Sequence, residues 1–210
     1  MTEERFYELC AYERQLEKEG YKIIGGIDEA GRGPLAGPVV AGCVIYPANG
    51  PFSYADDSKK LSEKRREAIF DDIKEKSLGW GVGFADNCLI DEINILQATF
   101  YAMREAVKNA CEMAGLKPEI AMIDHVHIPD FDSNIKQLSI THGDALSVTI
   151  GAASILAKVT RDRYMVEMAE KYPGYGFEKH KGYGTKAHYE AIRNLGISDI
   201  HRKSFLKKVH

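Results

Sequence analysis

Three apolar segments of this chain each lead into acid. Ile23, Ile24 and Ile27 precede Asp28-Glu29, Ile120-Ala121-Met122-Ile123 precedes Asp124, and Leu138-Ser139-Ile140 stands shortly before Asp144. Short apolar runs bounded by turn residues predict buried strands, and strands of one sheet can present their ends together. The four carboxylates are therefore expected at strand ends or at a helix start, within reach of one another. The first pair runs on into Gly31-Arg32-Gly33-Pro34, a glycine turn. Successive side chains of a strand point to opposite faces, so Asp28 and Glu29 cannot share a site within regular β geometry. Glu29 is expected at or beyond the end of its strand. Asp144 precedes a long helical pattern and is expected as its N-cap.

Grouped carboxylates need a physical reason, because like charges about 6 Å apart repel by roughly 3 kcal/mol per pair at an effective dielectric near 20. A dication supplies it. Ligands that are all oxygen select Mg²⁺ or Mn²⁺, and a pair of such ions suits phosphodiester hydrolysis by activated water with no protein nucleophile. The competing reading, strongest for Asp124 and Asp144 taken singly, is that acids at strand ends are solvated turn and cap residues.

With 210 residues, 44% of them hydrophobic, the chain fits a single α/β domain spanning 1–210. Residues 1–18 are charged and lack the apolar stretch of a secretory signal, and no run is long enough to span a membrane, so the expected location is cytoplasmic. Cys10, Cys43, Cys88 and Cys111 have no metal-knuckle spacing and are expected as buried reduced thiols. Net charge is −3, yet it is unevenly spread: residues 158–210 carry 12 Lys/Arg against 6 Asp/Glu. That quarter is either a phosphate-facing surface or a solvated basic face.

The pattern predicts an outer helix over 2–19 with Phe6, Leu9, Cys10 and Leu16 as its apolar side, then strands over 22–28 and 38–46 as an antiparallel pair. A Pro/Gly/Asn/Asp/Ser loop, 47–60, leads to a helix from Ser62 to Lys76 and a strand in which Trp80, Val82 and Phe84 alternate with small residues. A long helix over 88–114 ends at Gly115; strands over 119–124 and 135–140, a helix over 145–171 and one over 186–194 follow. This order means a mixed sheet covered by helices, with a basic helical region over 172–210. In the 145–171 helix, Ser147, Gly151, Ser154, Lys158 and Arg161 form a small, polar, finally basic stripe. It suits either close approach to a sugar-phosphate backbone or ordinary solvation and helix–sheet packing.

Several blocks, in order, resemble the type 2 ribonuclease H family in its bacterial ribonuclease HII branch. They are Gly26–Pro34 (Gly-Ile-Asp-Glu-Ala-Gly-Arg-Gly-Pro), Asp57–Leu61, Gly143-Asp144, Ala152–Asp162, Tyr172–Tyr175, His180–Thr185 and Ile200–Phe205. The resemblance covers nearly the whole chain. It implies an α/β fold: a ribonuclease H-like mixed five-stranded sheet flanked by helices, with a helical C-terminal lobe. The activity implied is endonucleolytic cleavage of the RNA strand of RNA–DNA hybrids, and of DNA duplexes on the 5′ side of a single embedded ribonucleotide. The resemblance further implies products with a 3′-hydroxyl and a 5′-phosphate and a role in ribonucleotide removal from DNA during replication and repair, and a monomer is expected as the acting unit. By the same resemblance Asp28, Glu29, Asp124 and Asp144 are the metal-binding and catalytic acids for Mn²⁺ or Mg²⁺ in a two-metal mechanism. The backbone of Gly31-Arg32-Gly33 reads the 2′-hydroxyl that separates RNA from DNA, Tyr183 packs beside the adjacent deoxyribose, and Ser154, Lys158 and Lys181 are weaker candidates for phosphate contact.

Outside the family match, Tyr183 reads better as a turn aromatic covering the core. Asp162 is expected to pair with Arg161 or Lys158 rather than bind metal. Two positions depart from the family pattern: His125 follows Asp124 where glycine is common, and His142 stands where lysine is common. His125 and His127, on one strand face by spacing, leave a zinc alternative open. Two rival functions are weighed: a structure-selective DNA endonuclease, which would cut all-DNA duplexes equally, and a noncatalytic hybrid-binding module, which would gain nothing from acids facing phosphate. The absence of an additional amino-terminal domain favours ribonuclease HII over ribonuclease HIII.

Overall fold

The computed structural model describes residues 2–55 and 61–206; most of the Asp57–Leu61 block and the last four residues lie outside them. Five strands, β1 (Ile23–Ala30), β2 (Val39–Pro47), β3 (Gly79–Ala85), β4 (Ile120–Asp124) and β5 (Lys136–Ile140), form one mixed sheet in the order β3-β2-β1-β4-β5. β1, β2 and β3 pair antiparallel; β1, β4 and β5 run parallel. Asp28, Asp124 and the turn after β5 consequently lie at one end of the sheet.

Helices cover both faces. α5 (Val148–Lys171) crosses one face over Gly26, where a Cβ would stand 2.4 Å from the Thr149 carbonyl oxygen. α4 (Asn87–Ala114) lies on the other, against β3. In β3 the small members of the alternation turn inward: a Cβ on Gly81 would meet the Ala106 carbonyl oxygen at 2.4 Å. Trp80 and Val82 face the other cluster, and Phe84 is exposed. The two apolar clusters thus sit one on each side of the sheet.

Several boundaries differ from expectation for local reasons. The N-terminal helix is two, α1 (Glu3–Leu9) and α2 (Ala11–Lys18), broken at Cys10; Leu9, Cys10 and Leu16 are buried as its apolar side. α4 is kinked at Asn94, φ +69°, whose side-chain oxygen accepts from the Leu96 and Gln97 amides at 3.0 and 3.2 Å and so caps a second helical segment. Asp144 is not the N-cap of α5. Residues Gly143–Ala145 form a 3₁₀ turn, and Ser147 caps the helix instead, accepting from the Ile150 amide at 3.2 Å. α3 (Glu63–Lys76) opens on Ser62 as expected. Among the cysteines, Cys10 and Cys43 are buried and Cys111 half-buried, but Cys88 is exposed, against expectation; all four are free thiols.

The C-terminal lobe has its own apolar cluster around Met165, Tyr175 and Phe177, and contains α7 (Lys186–Leu195) and a short helix not foreseen, α6 (Phe177–His180). A chain of hydrogen bonds runs through it. The Ser198 amide donates to His201 Nδ1 (2.9 Å), His201 Nε2 meets His188 Nε2 (3.0 Å), and His188 Nδ1 meets the Tyr183 carbonyl oxygen (2.9 Å). An amide can only donate and a carbonyl only accept, so both rings are neutral, with the shared proton on His201. Burial pushes the imidazoles down, His201 to about 4 with the His188 charge adding to the effect. The unfolded chain takes up these protons near pH 6.5 and the folded one does not, so the pair withdraws stability as pH falls from 6.5 toward 4. In an NMR titration the His201 ring proton is expected to hold its neutral position through pH 6 and move only on approaching pH 4. A midpoint near 6.5 would reject the relay.

Candidate active site

The register of β1 on β4 decides which acids meet. Ile27 pairs with Ile123, so Asp28 and Asp124 occupy the next rung, on strands about 4.8 Å apart and on the same face, toward α5. Glu29 lies opposite Ala41 inside the β1–β2 ladder, not past the end of its strand. What ends early is the β1–β4 ladder, at Ile27, and this releases Glu29 on the β4 side. Glu29 and Ser154 line one hollow of about 120 Å³ together with Lys158, Gly31 and Tyr183. The Asp124 carboxylate accepts from the Gly143 amide at 2.7 Å, tying the end of β4 to the turn that carries Asp144. Asp28 accepts from the Glu29 amide at 2.7 Å, and the Ser154 hydroxyl donates to it.

Electrostatically the acid end is only partly relieved. Burial raises Asp28 well above the ordinary carboxylate range, the charge of Glu29 and then that of Asp124 add to it, and the Ser154 hydrogen bond only partly opposes them. Glu29 is raised by burial as well; Arg32, 3.3 Å away, counters it and Asp124 reinforces it. One Glu29 oxygen, Oε2, is buried without a hydrogen-bond partner. Among the described residues no three His, Cys, Asp or Glu side chains already form a metal cage. Asp28 and Asp124 are held by backbone amides and Glu29 by Arg32, but the acids are not closed on a point. Hard oxygen donors under mutual repulsion, one of them orphaned, fit Mg²⁺ or Mn²⁺.

Gly31, φ +93°, starts the turn after β1. Tyr183, 46% exposed, faces Gly33, its ring carbon 3.7 Å from where a Gly33 Cβ would stand. The expected stripe on α5 is mostly spent on the fold. Ser147 donates to buried Glu13 at 2.6 Å, and Gly151 packs under the Asp144 and Ala55 carbonyls. Arg161 is buried with its guanidinium on the Pro38, Ala36 and Lys181 carbonyls at 2.9, 3.1 and 2.9 Å. Ser154, Lys158 and Arg161 line the hollow, the last with its guanidinium already spent on carbonyls. Lys158 pairs with Asp162 at 2.7 Å, and Arg66 lies 3.9 Å from the same carboxylate; Arg161 feels the Asp162 charge but forms no salt bridge with it among the described residues. The Lys181 ammonium donates to the Glu178 carbonyl.

His125 and His127 do not share a strand face, because β4 ends at Asp124 and His125 turns with φ +43°. His142 is also left-handed, φ +59°. A backbone of this kind suits glycine, the residue common after the acid matched by Asp124. Arg202 has no role in the sequence reading, although it lies in one of the family blocks. It is fully buried and donates to the Gly31, Arg32 and Gly37 carbonyls at 2.6, 2.9 and 2.9 Å. An arginine between the apolar Ile200 and Phe205 of a family block is the signal that could have marked it.

A family model described as ribonuclease HII matches residues 25–208. Ribonuclease HII of Acetivibrio thermocellus is 55% identical over 203 residues, 97% of this chain and 77% of that protein. Among solved structures, the ribonuclease H2 of Pyrococcus horikoshii superposes with TM-score 0.66 at 25% identity, covering 87% of this chain and 93% of that one. The ribonuclease HII of Archaeoglobus fulgidus, solved in complex with PCNA, gives 0.62 at 26%, covering 88% and 94%. No helix among the described residues is long and apolar enough to cross a membrane.

Proposed function

The chain belongs to the ribonuclease HII family, and we propose that Asp28, Glu29, Asp124 and Asp144 are the groups through which its ribonuclease H activity is exerted. It is a metal-dependent endonuclease acting on RNA–DNA hybrids. The finer reading is cleavage 5′ to a single ribonucleotide within duplex DNA, in the service of ribonucleotide removal. The observation that carries it is the bond from the Gly143 amide to Asp124, which stands beside Asp28 on the adjacent strand. That bond ties the turn carrying Asp144 to the sheet end where Asp28 and Asp124 stand, which supports a shared site.

The four carboxylates would hold Mg²⁺ or Mn²⁺. Such a cation, when bound, neutralises phosphate charge and lowers the pKa of a water for in-line attack. Asp28 is held by the Ser154 hydroxyl and the Glu29 amide, so its oxygens are oriented before substrate arrives. Arg32 steadies Glu29 from the solvent side. Lys158 lies at the hollow's edge and offers a cation to the phosphate backbone, while Lys181 presents a second further out. Gly31, Arg32 and Gly33 bring backbone close to the sugar, and Tyr183 stacks beside it. All four acids come from one chain, so the proposed acting unit is a monomer, working as one domain on cytoplasmic DNA.

A DNA duplex with one ribonucleotide, incubated beside an all-DNA control with Mn²⁺ or Mg²⁺ and again with chelator, tests this. Cleavage is expected only at the ribonucleotide and only with metal; equal cutting of both duplexes would refute it. Replacing Tyr183 by Ala is expected to lower kcat/KM about tenfold on the single-ribonucleotide duplex and much less on a long hybrid, since only the former offers an RNA-to-DNA junction. Equal losses on both would assign the ring to packing.

A further inference from the structure

Arg202 holds the turn after β1 from beneath. Its three guanidinium nitrogens reach three carbonyls: Nη2 that of Gly31 (2.6 Å), Nη1 that of Arg32 (2.9 Å) and Nε that of Gly37 (2.9 Å). Among the described residues no carboxylate forms a salt bridge with this buried charge, though the Asp91 charge favours it. An unpaired buried cation is costly, and an apolar side chain would fill the space without that cost. The forked geometry is what an apolar residue, or a lysine with one point-like ammonium, cannot reproduce.

The consequence lies on the other side of the peptide planes. In a trans peptide the N–H points opposite to the C=O. With the Gly31 and Arg32 oxygens turned onto Arg202, the amides of Arg32 and Gly33 turn the other way, and Gly33 is exposed beside the Tyr183 ring. Neither amide donates to a described residue. Two adjacent, unspent donors are thereby fixed in direction. Arg161 extends the same support, joining Ala36 and Pro38 to Lys181 so that the two loops cannot separate.

We infer that Arg202 is a positioning residue for sugar discrimination: it aims the Arg32 and Gly33 amides at the 2′-oxygen of the ribonucleotide. This rests on the proposed function and adds to it the side chain that sets the reading geometry. Arg202 itself touches no substrate.

The test is Arg202→Lys, which keeps the charge and loses the fork. On the single-ribonucleotide duplex its kcat/KM is expected to fall about 10- to 100-fold, the range for one or two hydrogen bonds. The dissociation constant for an all-DNA duplex, measured with chelator, is expected to stay within about twofold. A purely structural role would lower the melting temperature and leave the ratio of the two unchanged. Wild-type discrimination in folded Arg202→Lys, or equal losses on both duplexes, overturns the inference and leaves the proposed function standing. A wild-type enzyme that treats both duplexes alike removes both. Where Arg202→Lys does not fold, amide NMR of the metal-free wild-type protein decides. The Arg32 and Gly33 resonances are expected to shift with the ribonucleotide duplex and not with all-DNA; identical shifts with both overturn it.

Discussion

Asp124→Asn is expected to reduce turnover on a single-ribonucleotide duplex at least about a hundredfold, the scale of losing one preorganised electrostatic group, while the melting temperature holds or rises. The two halves of this result have separate causes. Asparagine keeps a side-chain oxygen, so the 2.7 Å bond from the Gly143 amide survives and the Asp144 turn stays docked. It deletes one charge from a cluster in which Asp124 raises both Asp28 and Glu29. At roughly 3 kcal/mol per pair at about 6 Å and an effective dielectric near 20, less the screening that partial exposure allows, that relief favours the fold in the metal-free protein. The chemistry suffers because the same charge is what a dication would be held by. Steady-state cleavage and a thermal melt on one preparation check both. Turnover like that of the wild type would remove Asp124 from the site, and joint loss of activity and folding would make it a residue of the turn alone.

The acid end was legible because its signal is one-dimensional. An apolar run that stops at an acid says where a strand ends, and three such runs say that three ends can coincide; Asp28, Asp124 and Asp144 followed from that. Glu29 was placed wrongly because the rule for alternating side chains treats a strand as having one end. β1 has two, one for each neighbour, and Glu29 sits between them. Position along a helix is equally visible while the surroundings of a face are not. Arg161 continues a stripe by spacing, but loops bearing the Ala36, Pro38 and Lys181 carbonyls arrive from distant sequence, and it is buried. The start of α5 differs from expectation for a local reason: Asp144 and Ser147 are both good caps, and a 3₁₀ turn that takes in Asp144 leaves the cap to Ser147. The kink at Asn94 belongs with these, since an asparagine that caps mid-helix looks in sequence like a tolerated polar residue.

Gly31→Ala should be the more damaging change to the reading loop, with kcat/KM on the ribonucleotide duplex down about a hundredfold or more and the melting temperature down by several degrees. Two penalties combine. At φ +93° an alanine is strained by about 1–3 kcal/mol wherever it stands. Here its methyl would also lie 2.0 Å from Arg161 Nε and 2.4 Å from Cδ. A flexible arginine on a surface would step aside, but this one is fixed by three carbonyls on two loops, so the clash must move either the turn or Arg161. Movement of the turn breaks the hydrogen bond from the Gly31 oxygen to Arg202 and redirects the neighbouring amides. Gly20→Ala separates the two penalties, because Gly20 has φ +98° and nothing within 4 Å of the added carbon. It should lose stability by the strain alone and keep full cleavage. If Gly31→Ala behaved like Gly20→Ala, with a modest melt shift and intact activity, close packing of Arg161 under the turn would have no part in reading the substrate.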